Sequence, residues 1–255
     1  MYIDTHAHIY LSQFEKDIDS VISRAKDAKV EKILLPNIDL DTIPELLNCC
    51  SNYPSICYPM LGLHPCSVNN DWKSALKKMQ QHPKVQQLIA VGEIGIDLYW
   101  DQSFEKEQVE AFEFQIQWAL DLDLPIVIHS RSAIDLTIKS VAKFQNGSLK
   151  GVFHCFDQDL EKAKKILDLN FYVGIGGILT YKRNNDIRST YAQIPLESVL
   201  IETDAPYLPP IPFRGKRNES SYVPLVAQQL ATVYNIPLKE VAKVTTQNAY
   251  DLFDL

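Results

Sequence analysis

Short apolar runs of strand length alternate along this chain with longer segments whose apolar residues recur at helical spacing. Eight runs predict strands: Tyr2–Thr5, Lys32–Pro36, Cys57–Leu63, Leu88–Glu93, Pro125–His129, Gly151–His154, Phe171–Gly174 and Val199–Glu202. Several are almost continuously apolar, as in Ile33-Leu34-Leu35 and Ile126-Val127-Ile128, the pattern of parallel strands covered on both faces. The segment Phe14–Ala28 carries Ile18, Val21, Ile22 and Ala25 on one helical face and charges on the other. Phe104–Leu122 does the same with Val109, Phe112, Ile116 and Leu120, and Ala133–Phe144 and Leu160–Leu167 follow that pattern. Two further helices, Val223–Tyr234 and Leu238–Phe253, close the chain. They follow a proline-rich, basic stretch, Tyr207–Asn218, that reads as a long ordered loop.

Eight strands, each followed by a helix or a loop with helical potential, predict an α/β fold, a (β/α)8 TIM barrel. An open doubly wound sheet is the alternative. It would carry a glycine-rich phosphate turn after its first strand, where this chain has His6 and His8. With 255 residues, 46% of them hydrophobic and 22% charged, there is material for a sizeable core. No repeat, linker or low-complexity tract divides the chain, so residues 1–255 are expected to form one barrel domain.

Charge and cysteine content narrow the function classes. A net charge of −7 disfavours coating of duplex nucleic acid, which calls for a basic face, yet leaves room for an enzyme that admits one strand end. The five cysteines are odd in number, Cys49 and Cys50 are adjacent, and none form a C-x-x-C pair, so no disulfide framework or zinc ribbon is indicated. The first residues lack the basic and apolar regions of a secretion signal, and no run of about 18 uncharged apolar residues predicts a membrane span. A reducing cytoplasm is the expected setting, without membrane contact; oligomeric state is left open.

The histidines carry the chemistry. Of six, five lie at or just beyond the C-terminal end of a predicted strand: His6, His8, His64, His129 and His154. Glu93 and Asp204 share that placement, whereas His82 precedes Pro83 in a predicted surface loop. Taken singly, each reads as a loop or cap residue. In a barrel, however, all C-terminal strand ends meet on one face, which brings these groups into one pocket. The alternation in His6-x-His8 also points both imidazoles to one side. Burying so many titratable groups together is costly without a cation, and a metal centre offsets that cost. Four imidazoles and two carboxylates could hold two divalent ions, zinc, manganese or magnesium, with one carboxylate bridging.

With these residues in place, the chain resembles the TatD family of metal-dependent deoxyribonucleases, among the amidohydrolase-like barrels. The resemblance runs through Tyr-Ile-Asp-Thr-His-Ala-His (2–8), Gly-Leu-His-Pro (62–65), Gly-Glu-Ile-Gly-Ile-Asp (92–97) and Leu-Pro-Ile-Val-Ile-His-Ser-Arg (124–131). It continues through Phe-His-Cys-Phe (153–156), Ile-Glu-Thr-Asp-Ala-Pro-Tyr-Leu (201–208), Arg-Gly-Lys-Arg-Asn-Glu (214–219) and the closing segment Thr245–Phe253. It implies that His6, His8, Glu93 and Asp204 hold one metal and that Glu93, His129 and His154 hold a second, with Glu93 as the bridge. It further implies that Asp204 acts as base toward the attacking water, that His64 faces the scissile phosphate, and that the substrate is DNA attacked at a 3′ end. Two departures stand out: Tyr10, where such proteins usually have an acid or amide, and Gly-Ile-Gly-Gly (174–177), where they often have Gly-Ile-Ser-Gly.

Secondary candidates follow from charge and aromaticity. Arg131 would clamp a phosphate, since a guanidinium engages two oxygens at once, or else form a salt bridge at the next helix. Lys182, Lys216 and Arg217 would contact the nucleic-acid backbone, or else lie solvated in loops. Tyr10, Tyr99 and Tyr207 are candidates to stack on unpaired bases, against packing roles; Trp72, Trp100 and Trp118 are expected to pack at the barrel's periphery. Cys155 would point away from the site if its strand persists there. The competing functions are an enzyme of the same barrel attacking a carboxylic ester, lactone or amide, and a scaffold that kept only the fold.

Overall fold

The eight apolar runs are the eight strands of one parallel sheet in the computed structural model, which describes residues 1–255. They are β1 (Tyr2–Asp4), β2 (Val30–Leu35), β3 (Cys57–Leu61), β4 (Ala90–Asp97), β5 (Ile126–Arg131), β6 (Gly151–Phe153), β7 (Tyr172–Ile175) and β8 (Val199–Ile201). Each lies beside the next in chain order. The barrel closes just past the ends of β1 and β8, where Thr5 N donates to Ile201 O (3.2 Å) and Ala7 pairs in parallel with Ala205.

Helices α1 (Ile18–Asp27), α2 (Ile43–Asn52), α3 (Trp72–Gln80), α4 (Glu105–Leu122), α5 (Ile134–Phe144), α6 (Leu160–Asp168) and α7 (Asn185–Tyr191) follow strands one to seven, and α8 (Val223–Tyr234) and α9 (Leu238–Phe253) follow the eighth. The amphipathic stripes seen in the sequence are the faces these helices bury. On α4, Phe112, Ile116 and Ala119 are fully covered, and the helix stops where Asp123 turns left-handed at φ +54°. None of the helices is long and apolar enough to cross a membrane.

Alternation along the strands sets the inside of the barrel. Ile3, Leu34, Met60, Ala90, Val127, Val152 and Leu200, one from each of seven strands, form one apolar cluster with Leu252 and Phe253 of α9. Two residues further along β5, β6 and β8 come His129, His154 and Glu202, with Asp204 two beyond that. The apolar layer is therefore the floor on which the polar groups stand.

The strands β4 and β5 each run at least two residues past the C-terminal end that the sequence pattern predicts. Glycines at 92 and 95 resemble the end of β4, yet it continues to Asp97 and β5 continues to Arg131. These glycines mark close approach instead of a turn. Gly95 sits at φ +145°, and a Cβ there would lie 1.9 Å from the His129 carbonyl oxygen. The β4–β5 register also slips between Gly92 and Ile94, as at a β-bulge, and Glu93 falls at that slip. Three residues from inward-facing Ala90, Glu93 thereby faces inward too. The side chains of Gln108 and Gln115 on α4 reach into the sheet and clamp both backbone groups of Asp97 and of Leu63, fixing the starts of two loops.

Gly95→Ala should cost about 2 kcal/mol or more, combining overpacking with an unfavourable φ. A urea midpoint equal to the wild type would show that β4 and β5 do not approach as described.

Candidate metal centre

The site is assembled where the first and last strands meet. Asp204 N donates to His6 O (2.9 Å) and His8 N to Ala205 O (2.7 Å), so the two extended segments carrying His6, His8 and Asp204 lie side by side. Asp204 itself is left-handed, at φ +56°, a conformation an aspartate tolerates better than most residues.

Glu93 stands between two groups of imidazoles. Its Oε2 lies 3.2 Å from His6 Nε2 and 3.4 Å from His8 Nε2. Its Oε1 lies 2.9 Å from His129 Nδ1, 2.9 Å from His154 Nε2 and 3.4 Å from His64 Nε2. Asp204 Oδ1 adds to the first group, 3.8 Å from His6 Nε2 and 3.7 Å from His8 Nε2. Burial alone would raise the Glu93 carboxyl, but His154, His64, His6 and His129 outweigh it and hold the group well below its usual range. Burial, followed by the neighbouring His154, lowers His6 to about 4. Burial pushes the Asp204 carboxyl up to about 6, against the pull of His154 and His8.

The orientation of three of the rings follows from the far nitrogen. Tyr10 has one hydroxyl proton, and it goes to the Pro36 carbonyl (2.7 Å). The Tyr10 oxygen, 3.1 Å from His8 Nδ1, must then accept from that nitrogen, which leaves the His8 Nε2 lone pair facing the cluster. His129 Nε2 lies 2.8 Å from Asp97 Oδ2. Burial would raise the Asp97 carboxyl, but His129 and the Tyr99 and Trp100 amides hold it at about 2. Asp97 thus accepts; burial would lower the basicity of His129, but Asp97 and Glu93 outweigh it, and Nδ1 faces Glu93 as a donor until a cation takes the place of its proton. His64 differs: its Nδ1 accepts from Cys66 N (3.1 Å), and burial lowers its basicity. Neutral His64 therefore keeps its proton on Nε2 and faces the site as a donor. His154 Nδ1 points to Glu202 Oε1 at 3.4 Å.

This arrangement fits a cation. His6 Nε2, His8 Nε2 and a Glu93 oxygen, all buried, converge within 3.4 Å, where lone pairs would oppose one another without positive charge among them. His6, His154 and Glu202 also lie close enough to share an ion, as do His64, Glu93 and His129, although His64 faces that group through a protonated Nε2.

Comparison with known proteins agrees with this chemistry. A family model described as TatD related DNase matches residues 3–254. YabD of Bacillus subtilis, described as an uncharacterized metal-dependent hydrolase, is 38% identical over 99% of this chain and 99% of its own length. The chain belongs to the TatD family. Among its relatives, YcfH of Escherichia coli, also an uncharacterized metal-dependent hydrolase, is 30% identical over 99% of this chain and 96% of its own. The crystal structure of the TatD homologue YjjV from Escherichia coli superposes with a TM-score of 0.91 at 31% identity, covering 100% of this chain and 98% of that one. The protein is thus a TatD-family metal-dependent hydrolase.

The two departures from the TatD pattern acquire physical meaning. Tyr10 is buried and its hydroxyl is spent on His8 and Pro36, so it is not free to stack on a base. At Gly176 a Cβ would meet nothing nearer than 3.4 Å, so the backbone leaves room for a serine and the glycine simply lacks its hydroxymethyl group.

Above the cluster opens a cavity of about 1270 Å³, lined by His8, His64, Glu93, His129, His154 and Asp204 together with Arg131, Arg183, Trp100 and Tyr207. Arg131 stacks on Tyr99 and makes no salt bridge. Lys182 is exposed and outside the lining, where its neighbour Arg183 stands. Lys216 and Arg217 are also outside it. The Arg217 guanidinium binds both Asp17 oxygens (2.8 and 2.7 Å) and Gln13 O, and Lys216 lies over Phe213. Trp72 and Trp118 are buried packing residues as expected, whereas Trp100 is 69% exposed at the cavity mouth. Cys155 lines the cavity because β6 has ended and its backbone turns left-handed at φ +47°.

Asp97 and Glu202 are the residues that sequence reasoning missed. Each shares the alternation of a predicted site acid, Asp97 with Glu93 on extended β4 and Glu202 with Asp204.

Long-range proton–nitrogen spectra of metal-stripped protein should show His8 protonated on Nδ1 and bare on Nε2. Tyr10→Phe should mix the tautomers and destabilise the fold by about 1–3 kcal/mol, since a buried donor and a carbonyl lose their partner. An unchanged His8 tautomer in that variant would contradict the assignment.

Proposed function

We propose that the protein is a deoxyribonuclease that hydrolyses phosphodiester bonds at the 3′ ends of single-stranded DNA with two divalent cations, zinc, manganese or magnesium. The observation that carries this reading is the division of labour at Glu93, whose two carboxylate oxygens face two separate groups of imidazoles. On this reading His6, His8, Glu93 and Asp204 hold one cation, and Glu93, His129 and His154 the other. Bound there, such ions activate water and neutralise charge developing on a phosphoryl group.

The chain's own residues divide the remaining work. Asp204, beside the first group of imidazoles, would hold the proton of the attacking water. His64 donates from Nε2 toward a phosphoryl oxygen, which suits a neutral ring better than a ligand. Arg131 and Arg183 at the mouth supply positive charge where a strand would enter. The two arginines favour a phosphate over the carboxylic ester, lactone or amide that the same centre would also be able to attack. As part of the same reading, residues 1–255 act as one barrel domain.

Metal-stripped protein given 3′-labelled single-stranded DNA should release the terminal nucleotide only when magnesium, manganese or zinc is restored. Absence of cleavage with every ion, in protein shown to bind two, would shift the substrate to esters or amides. Asp204→Asn should keep most of its cation content and lose about 10²–10⁴-fold in kcat; near-wild-type turnover would remove Asp204 from its role. Glu93→Ala should lose cation by elemental analysis, and full stoichiometry in that variant would refute the bridge.

A further inference from the structure

The rim of the cavity carries an aromatic and cationic cluster that the metal chemistry leaves unused. Trp100 is 69% exposed and Tyr99 57% exposed, both immediately after β4. The Arg131 guanidinium carbon lies 3.9 Å from the Tyr99 ring centroid and 5.2 Å from that of Trp100, and the two aromatic rings meet edge to face at 5.0 Å. A tryptophan left this open is an apolar surface without a partner, although its neighbours on the chain are well anchored.

The anchoring is what ties the cluster to the chemistry. Asp97 Oδ1 accepts from Tyr99 N (2.9 Å) and Trp100 N (3.3 Å), while its Oδ2 binds His129 Nε2 (2.8 Å). One buried carboxylate therefore fixes both the aromatic rim and a ring facing Glu93. Any group stacked on Trp100 is held in register with the centre. The adjacent Arg131 matches a phosphate and the indole face a flat π-system, and a nucleotide offers both. An unpaired base presents its face freely, whereas a paired one does not.

We propose that Trp100, braced by Tyr99 and Arg131, is a stacking platform for an unpaired nucleobase flanking the scissile phosphate. This deepens the nuclease reading and rests on it. The platform accounts for a preference for single strands, since a duplex end would have to fray to place a base there. It also sets base tolerance, because stacking reads the π-face and not the hydrogen-bonding edge.

The test uses the three tryptophans. Trp72 and Trp118 are buried, so acrylamide quenches chiefly the emission of Trp100. A phosphorothioate single-stranded oligonucleotide should shield that emission, and the same strand with abasic residues should not. Trp100→Ala should raise KM for single-stranded DNA about 10-fold with little change in kcat, Trp100→Phe should recover most of it, and the difference should vanish on the abasic strand. Equal acrylamide quenching with and without oligonucleotide, together with a wild-type KM in Trp100→Ala, would overturn the platform while leaving nuclease activity standing. Shielding without cleavage by any ion would instead retain the platform and remove the nuclease reading. Neither shielding nor cleavage would remove both.

Discussion

One buried carboxylate, Glu93, has five imidazoles around it, and much of the barrel exists to let it stand there. An ionised acid at the centre of a fold is tolerated only where positive charge surrounds it. Bringing it inward requires the register slip in β4, and that slip requires backbones to approach more closely than side chains allow. Asn37 exchanges both main-chain hydrogen bonds with Gly92 and Glu93, and its side chain donates to Gly62 O. A Cβ on Gly62 would lie 2.7 Å from Ile94. Gly62, just past β3, and the glycines of β4 are thus the steric condition for the acid, and the acid is the electrostatic condition for the histidines.

Around this core lies a ring of residues whose contact is with the imidazoles. Tyr10 holds His8, Asp97 holds His129, Glu202 faces His154, and the Cys66 amide sets His64. These partners differ in charge, and the difference matters. A carboxylate behind His129 strengthens that ring as an electron donor, whereas a neutral phenol behind His8 does so less. The two sides of Glu93 are therefore unequal even though each offers imidazole and carboxylate. His64 has its lone pair turned away by a main-chain N–H, which separates it chemically from the four rings whose lone pairs face inward or can do so.

How much of this was legible in the sequence depends on distance along the chain. The eight strands were readable because parallel strands covered on both faces leave apolar runs, and the site residues because all strand ends of a barrel meet on one face. Asp97 was lost because the predicted strand stopped at Glu93, although β4 continues past Gly95 beside β5 to Asp97. Glu202 was seen as the end of a strand, and its burial depends on the space left by Gly174, where a Cβ would lie 2.6 Å from its Oε2. Tyr10 looked like an aromatic at the pocket lip, and its partner Pro36 lies 26 residues away. For Trp100, composition favoured packing. Its exposure follows from the short turn that Asp97 draws around its own carboxylate.

In the basic loop the fold redistributes the local charge. Lys216 and Arg217 form a dense cationic pair in the sequence, which by itself points to a polyanion. In the fold Arg217 is bound bidentately to Asp17, Arg24 is bound in the same way to Glu219, and Arg24 reaches Asp17 at 3.5 Å. Two acids and two arginines about 200 residues apart neutralise one another and strap the loop after β8 onto α1. Because Asp204 opens that loop and Asn218 closes it through bonds to Thr203 O and Tyr207 O, the strap steadies the wall of the cavity. Positive charge near the mouth is left to Arg131 and Arg183, on a chain whose net charge is −7. Such a surface attracts a polyanion over a short range only. Recognition then falls to the few groups at the rim, and a long charged track plays no part in it.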